Sequence, residues 1–154
     1  VGASSASLLM GIKPEAMTLA KGLASGMPIG ATLFSASAAS TIRQGDLGST
    51  FAGGPLAMAA MIATLEVIAD EDLIERAART GALLKAQLPG AAVASVLGEG
   101  MLLGLRTHEP GASLKKHLYD RRMLVGASGD PHVLRLMPPL TISDDAVAAL
   151  TSAI

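Results

Sequence analysis

Residues 93–106 read Val-Ala-Ser-Val-Leu-Gly-Glu-Gly-Met-Leu-Leu-Gly-Leu-Arg. The stretch holds two β-prone runs, residues 93–97 and 101–106, separated by Gly98-Glu99-Gly100. Glycine supplies the positive φ that a tight strand connection requires. A β run rather than a helix follows the glycines, which argues against a dinucleotide-binding fingerprint. The stretch therefore predicts two strands joined by a tight turn.

Helical and strand-like segments alternate on both sides of this pair. The pattern predicts helices over residues 55–69, 71–88, 113–123 and after Ser143, and strands over residues 17–20, 29–34 and 133–137. Pro55 stands where proline is favoured, at the first position of a helix. The 55–69 helix is apolar over most of its circumference, which predicts that it is buried. This alternation of elements predicts an α/β or α+β class.

Composition excludes several classes of protein. The chain has 154 residues, 50% of them hydrophobic, a formal net charge of -1 and no cysteine. No positive field exists to attract nucleic acid, and a disulfide scaffold or thiolate zinc site is impossible. The longest apolar segment, residues 56–69, is interrupted by Thr64 and Glu66 and is shorter than the roughly 18 residues of a membrane span. No export signal is visible, so we expect a cytoplasmic chain with neither membrane nor nucleic-acid partners.

A glycine-rich stretch before the 55–69 helix is a candidate phosphate site. Residues 48–55 read Gly-Ser-Thr-Phe-Ala-Gly-Gly-Pro. Two hydroxyls and several backbone amides lie where a helix starts, and a helix start attracts anions. An ordinary N-terminal cap with a flexible approach explains the same pattern, and the residues alone leave both interpretations open.

Lys21 lies between an apolar run and a Gly-Leu-Ala-Ser-Gly loop, whereas Lys85, Lys115 and Lys116 fall on helix surfaces. A lysine among apolar neighbours can act as a nucleophilic amine that forms a Schiff base. A solvated lysine at the end of a strand is the alternative.

Arg135 is the one charge in the apolar run of residues 133–140. A guanidinium in a half-buried strand needs a planar anionic partner, which is either an internal carboxylate or a substrate. The three histidines have no metal-ligand spacing, so no metal site is predicted.

Taken together, these stretches resemble the class III pyridoxal-phosphate-dependent aminotransferases, and most closely their acetylornithine branch. The resemblance runs colinearly from residue 11 to the end of the sequence. It is carried by residues 11–15 (GIKPE), 17–23 (MTLAKGL), 28–31 (PIGA), 48–51 (GSTF), 55–57 (PLA), 98–102 (GEGML) and 134–140 (LRLMPPL).

The resemblance implies a role for four residues. Lys21 resembles the lysine that binds pyridoxal 5'-phosphate as a Schiff base and later moves the proton between Cα and the cofactor carbon. Thr50 resembles the residue that reaches the cofactor phosphate across a homodimer interface, and Ser49 a substrate-contacting position. Arg135 resembles the arginine that clamps the substrate α-carboxylate.

The resemblance also implies a fold, a reaction and partners. The fold is the C-terminal part of a fold-type I transferase: a partial cofactor-binding domain over residues 1–54, a connecting helix over 55–69 and a small α+β domain over 70–154. The reaction is amino transfer from N-acetylornithine to 2-oxoglutarate in arginine biosynthesis, in a homodimer whose subunits share the site. Ornithine, succinylornithine and 4-aminobutyrate remain alternative amino donors.

The sequence departs from the family in two respects. Ala52-Gly53-Gly54-Pro55 replaces the usual Gly-Gly-Asn-Pro. The glycine-rich phosphate loop, the ring that stacks on the pyridine and the aspartate that pairs with its nitrogen have no counterpart. We therefore expect a truncated aminotransferase, or one completed by another polypeptide, with a non-catalytic remnant or subunit-binding fragment as the alternative.

Overall fold

A computed structural model describes residues 1–154 as six α-helices, six β-strands and one 3₁₀ turn. The helices are α1 (Ala6–Leu9), α2 (Ala36–Ala39), α3 (Pro55–Asp70), α4 (Leu73–Gln87), α5 (Ala112–Asp120) and α6 (Asp144–Ala153). The strands are β1 (Ala16–Leu19), β2 (Ala31–Phe34), β3 (Val93–Glu99), β4 (Leu102–Thr107), β5 (Gly126–Ala127) and β6 (Val133–Leu136), and the 3₁₀ turn spans Lys21–Ala24.

The chain divides into two compact units. One unit combines Val1–Leu9 with Leu73–Ile154, and we call it the sheet unit; the other is Met10–Asp72, and we call it the hairpin unit. Both contain helices and strands, as the sequence predicts. The division at residues 54/55 and 69/70 that the resemblance implies stays a prediction.

The sheet unit is built on four antiparallel strands in the order β3-β4-β6-β5. A tight turn joins β3 and β4, as predicted, but it consists of Gly100-Met101, because Gly98 and Glu99 belong to β3 and pair with Leu103 and Leu102. Gly98 has φ 91° and Gly100 has φ 55°, a left-handed region that side-chain-bearing residues rarely adopt. A Cβ on Gly98 would also collide with the carbonyl oxygen of Leu102. Glycine is therefore required at Gly98, within β3, for both conformation and space, and at Gly100, in the turn, for conformation.

The core of the sheet unit lies between one face of this sheet and three helices. Alternate residues of β4 and β6 face inward, because side chains along a strand point to opposite faces. The buried cluster consists of Val93, Leu103, Leu105, Leu134 and Leu136 from the sheet, with Leu84, Leu88, Leu118, Val147 and Leu150 from the helical segments.

Two helix boundaries differ from the predicted ones by more than one residue. Helix α4 begins at Leu73 rather than at residue 71, because Asp72 has φ 50°. Helix α5 ends at Asp120 rather than at residue 123, because Arg122 has φ 63°. Helix α6 begins as predicted, with the Ser143 side chain accepting a hydrogen bond from the Ala146 amide at 3.2 Å.

The hairpin unit is built on the antiparallel pair β1–β2, in which Ala16 lies opposite Phe34 and Leu19 opposite Ala31. Helix α3 begins at Pro55, as predicted, and packs against the 3₁₀ turn. The Thr64 hydroxyl on α3 donates to the Ser25 hydroxyl at 3.2 Å. Ala24 in the 3₁₀ turn is the one buried residue of this unit.

The prediction that the 55–69 helix is buried is wrong for this chain. Helix α3 has no buried residue, and Leu56 is 70% exposed. The elements available within the hairpin unit are short, so they cover only part of a helix that is apolar on all sides. None of the helices combines the length and apolar character needed to span a membrane.

A test of the core compares two leucines of β4. Leu105 is fully buried and Leu102 is 52% exposed. We expect Leu105→Ala to lower the free energy of unfolding of the sheet unit by about 2–5 kcal/mol, since it leaves a cavity. Leu102→Ala should cost less than about 1 kcal/mol. Urea unfolding followed by circular dichroism measures both, and equal losses would contradict this core.

Candidate active site

Lys21 lies at the end of the β1–β2 hairpin, as the first residue of the 3₁₀ turn. The turn belongs to the long connection between Leu19 and Ala31, and Lys21 enters it two residues after β1 ends. Its side chain is exposed and makes no hydrogen bond or ion pair. The chain thus presents this amine at a strand end, where the sequence predicts it.

The backbone of Lys21 is strained. Its φ is 58°, in the left-handed region where residues with a Cβ are uncommon. Such a conformation costs on the order of 1–3 kcal/mol, and strained residues cluster at active sites and ligand clamps. The same loop contains a second residue of this kind, Ser25, with φ 45°. The exposed side chain fits the alternative of a solvated lysine at the end of a strand, and the expectation of apolar neighbours around Lys21 is wrong in this structure. The backbone strain is the one feature that a solvated lysine does not require.

A pocket of about 360 Å³ lies at the N-terminus of α3. One wall is Pro28-Ile29-Gly30, the end of the loop that carries Lys21, and the other is formed by the glycine-rich stretch and the first turns of α3. Gly54 is the N-cap of the helix and makes no side-chain capping bond. The first amides of α3 therefore lack a side-chain cap, and unpaired amides at a helix start attract anions.

The two hydroxyl residues of the glycine-rich stretch are placed differently. Ser49 lines the pocket, whereas Thr50 does not. The Thr50 side chain is exposed and makes no hydrogen bond within the chain. Ser49 therefore faces this chain's own pocket, and Thr50 stands outside it.

The chemistry of these groups fits a phosphorylated aldehyde. Hydroxyls and backbone amides at a helix start suit a phosphate, and the exposed amine of Lys21 suits a carbonyl carbon. Pyridoxal phosphate carries both groups, and the hairpin unit offers a matching residue type for each. Lys21 itself is not among the residues that line the pocket.

Arg135 belongs to the sheet unit and lies on β6, on the side of the sheet opposite the core. Its neighbours Leu134 and Leu136 are buried, and Arg135 is exposed. No carboxylate lies within ion-pair distance of its guanidinium, and it makes no hydrogen bond. Of the two predicted partners, the internal carboxylate is not present in this structure.

One polar cluster escaped the sequence interpretation. The Glu15 carboxylate accepts hydrogen bonds from the Ser35 hydroxyl and, at 2.7 Å, from the Ser37 hydroxyl. The Ser35 amide donates to the Glu15 carbonyl at 2.8 Å. The cluster joins the two strands at the end of the hairpin remote from Lys21. Only the strand register, in which Ala16 lies opposite Phe34, brings these residues together.

The hydroxyl donors shift the acidity of this carboxylate. The hydrogen bond from Ser35, and secondarily that from Ser37, lowers the pKa of Glu15 below its ordinary value of about 4.5. Both bonds favour the charged form.

Comparison with known proteins identifies the family to which the chain belongs. The family model for class-III aminotransferases matches the sequence over residues 1–154. The chain belongs to the class-III aminotransferase family, whose members depend on pyridoxal phosphate.

Within that family, acetylornithine aminotransferases are among the proteins to which the chain is similar. The enzymes of Bacillus subtilis and Streptomyces coelicolor are 38% and 40% identical over 146 and 148 residues, which is 92% and 94% of this chain. The crystal structure of the acetylornithine aminotransferase from Elizabethkingia anophelis superposes with a TM-score of 0.87 at 28% identity, over 99% of this chain and 40% of that one. The chain spans 38% and 37% of the length of the two curated relatives.

The strain at Lys21 yields a testable difference between two variants. Lys21→Gly and Lys21→Ala both remove the amine, but only glycine adopts the left-handed conformation without steric cost. We expect the glycine variant to be more stable than the alanine variant by about 1 kcal/mol. Thermal unfolding and amide hydrogen exchange in β1 and β2 measure the difference in stability between the two variants. An alanine variant that is more stable than the glycine variant, as at an ordinary backbone position, would show that Lys21 is unstrained.

The Glu15 cluster predicts a pH dependence of the hairpin. The folded pKa is lowered, so its stabilising effect is present above the unfolded pKa and is lost as pH falls through the folded value. We expect β1–β2 amide protection to decline at acidic pH in the native chain. In Ser35→Ala/Ser37→Ala, the Glu15 titration midpoint, measured by carboxyl NMR, should rise toward its ordinary value. An unchanged midpoint would refute the assigned cause.

Proposed function

We propose that this chain supplies the lysine, a phosphate-binding segment and the carboxylate-binding arginine of a pyridoxal-phosphate-dependent transaminase. The observation that carries this proposal is Lys21. An exposed amine in a strained backbone conformation opens a loop whose other end walls a pocket at a helix N-terminus.

Lys21 has two successive roles in this proposal. Its Nζ holds the cofactor through the carbonyl carbon, and as a free amine it takes and returns the proton of the substrate carbon that carries the amino group. When bound, the cofactor withdraws electrons from that carbon and so makes its proton acidic. The exposure of Lys21 and the absence of an ion pair leave Nζ available for both roles.

The glycine-rich stretch is proposed to bind phosphate. Ser49 and the amides of the α3 start line the pocket of this chain. Thr50 stands outside the pocket with an exposed hydroxyl, which suits a role toward a second copy of the chain in a homodimer. The charge of a phosphate is favoured at the positive end of the 16-residue helix α3.

Arg135 is proposed to bind the substrate α-carboxylate. It is the charged member of an otherwise apolar strand, it faces away from the core, and it makes no ion pair within the chain. A carboxylate binds a guanidinium in a bidentate manner, which orients the substrate as well as holding it.

We propose N-acetylornithine as the amino donor and 2-oxoglutarate as the acceptor, with a place in arginine biosynthesis. The support is the identity of 38–40% to acetylornithine aminotransferases of two bacteria. A cytoplasmic location and a homodimer with a shared site belong to the same proposal.

A second candidate is a non-catalytic, subunit-binding chain. The specific observation in its favour is the exposed apolar surface of α3, on which Leu56, Ile62 and Leu65 are exposed. An apolar surface of this kind favours association with a further protein surface.

Borohydride trapping separates the two candidates. The full chain is mixed with pyridoxal phosphate, reduced and digested, and each lysine is examined by peptide mass spectrometry. We expect a pyridoxyl adduct on Lys21 that exceeds the labelling of Lys13, Lys85, Lys115 and Lys116, which serve as internal references. Prior addition of N-acetylornithine should lower the Lys21 adduct, since the substrate amine displaces the lysine.

Lys21→Ala is the matched control and should lose the dominant adduct while keeping the reference labelling. The experiment is repeated with a separately expressed N-terminal portion of an acetylornithine aminotransferase. Uniform labelling of the five lysines in both experiments would overturn the catalytic proposal and favour the subunit-binding chain.

A further inference from the structure

Two glycines flank Arg135 on the neighbouring strands. Gly104 of β4 pairs with Arg135 on one side, and Gly126 of β5 pairs with it on the other. Paired residues of adjacent strands share a face of the sheet. The open face of the sheet therefore carries no side chain on either side of this arginine.

Neither glycine is required by the backbone. Unlike Gly98 and Gly100, both have φ outside the left-handed region. Glycine inside a strand weakens the strand and often marks a place where another group approaches closely. The reason for glycine at these two positions must lie in the space above them.

That space differs between the two glycines. A Cβ on Gly126 would lie 3.2 Å from Nε, 3.3 Å from Cβ and 3.4 Å from Nη2 of Arg135. A Cβ on Gly104 would lie 3.2 Å from Cγ1 of Val133 and 3.7 Å from Cβ of Leu97, with no atom of Arg135 among its near neighbours. The arginine side chain thus lies across Gly126, whereas the space above Gly104 is bordered by Val133 and Leu97.

We propose that Gly126 is a positioning residue that orients the Arg135 guanidinium for carboxylate binding. Its missing side chain is the space in which the arginine lies against β5. A guanidinium held against the strand has fewer rotamers to lose when it binds an anion, so less of the binding energy is spent on ordering. This inference rests on the proposed carboxylate-binding role of Arg135.

A substitution at Gly126 would displace the guanidinium without altering its charge. At 3.2–3.4 Å an added Cβ is closer than ordinary van der Waals contact, so the arginine must move by a few tenths of an ångström or adopt another rotamer. A bidentate ion pair depends on the direction of the guanidinium as well as on its charge. Gly126→Ala should therefore weaken carboxylate binding, while Gly104→Ala, in the same row of the sheet, should not.

The experiment uses phenylglyoxal, which modifies arginine side chains, with 2-oxoglutarate as the probe. The full chain contains seven arginines, and peptide mass spectrometry gives the modification rate of each, so the other six serve as internal references. In the native chain we expect 2-oxoglutarate to slow the modification of Arg135 selectively. In Gly126→Ala the concentration that gives half of this protection should rise about tenfold, equivalent to about 1.4 kcal/mol. In Gly104→Ala it should stay within about twofold, a difference of at most about 0.4 kcal/mol.

The outcomes distinguish a failure of the positioning role of Gly126 from a failure of the carboxylate-binding role of Arg135. Equal protection of Arg135 in the native chain and Gly126→Ala, or an equal loss in both glycine variants, would overturn the positioning role. A native Arg135 that 2-oxoglutarate does not protect would overturn both the positioning role and the carboxylate-binding role. In that case the Lys21 labelling experiment would still test the transaminase proposal independently.

A measurement on the native chain covers the case in which Gly126→Ala fails to fold. Circular dichroism first establishes whether both variants keep their native content of helix and strand. In the native protein, the Nε–H resonance of Arg135 should show a nuclear Overhauser contact to the α protons of Gly126. Absence of this contact would overturn the proposal without any variant.

Discussion

The inward packing of Leu134 and Leu136 decides the direction of Arg135. Side chains along a strand alternate between the two faces of a sheet, so burying both leucines turns the residue between them outward. Leu103 and Leu105 on β4 pack into the same cluster, which holds β4 against β6 with Gly104 opposite Arg135. The hydrophobic core, by occupying one face of the sheet, thus places the Arg135 guanidinium on the other face.

The hairpin unit is organised by local structure rather than by a core. It contains one buried residue, Ala24, and its order comes from strand pairing, the Glu15 cluster and the packing of α3 on the 3₁₀ turn. A unit with so little burial has a small reserve of stability. It nevertheless holds Lys21 in a costly backbone conformation. The proposed function of Lys21 and the stability of the hairpin unit are therefore in opposition at this residue.

Much of the fold could be predicted because its signals are local. The β3–β4 turn at Gly100, Pro55 at the start of α3 and Ser143 at the start of α6 each depend on the conformation of one or two residues. The burial of α3 could not be predicted in this way. Hydrophobicity indicates that a surface favours burial, but not whether enough partner surface is present to cover it.

Prediction of the candidate site from the sequence is limited in a similar way. Lys21 and Arg135 could be singled out because each is a charge beside apolar residues. The Glu15–Ser35 contact and the contact of Arg135 with Gly126 depend on strand register, which brings together residues that are 20 and 9 positions apart in the sequence. Sequence spacing alone does not contain that information.

The outward position of Arg135 also favours the native register between β4 and β6. A slip of one residue between β4 and β6 would exchange the two faces of β6 and carry the Arg135 guanidinium into the leucine cluster. An unpaired charge in such surroundings is strongly unfavourable. The residue that is proposed to bind a carboxylate therefore also favours the native strand register during folding. An apolar residue in place of Arg135 would tolerate the slipped register more readily.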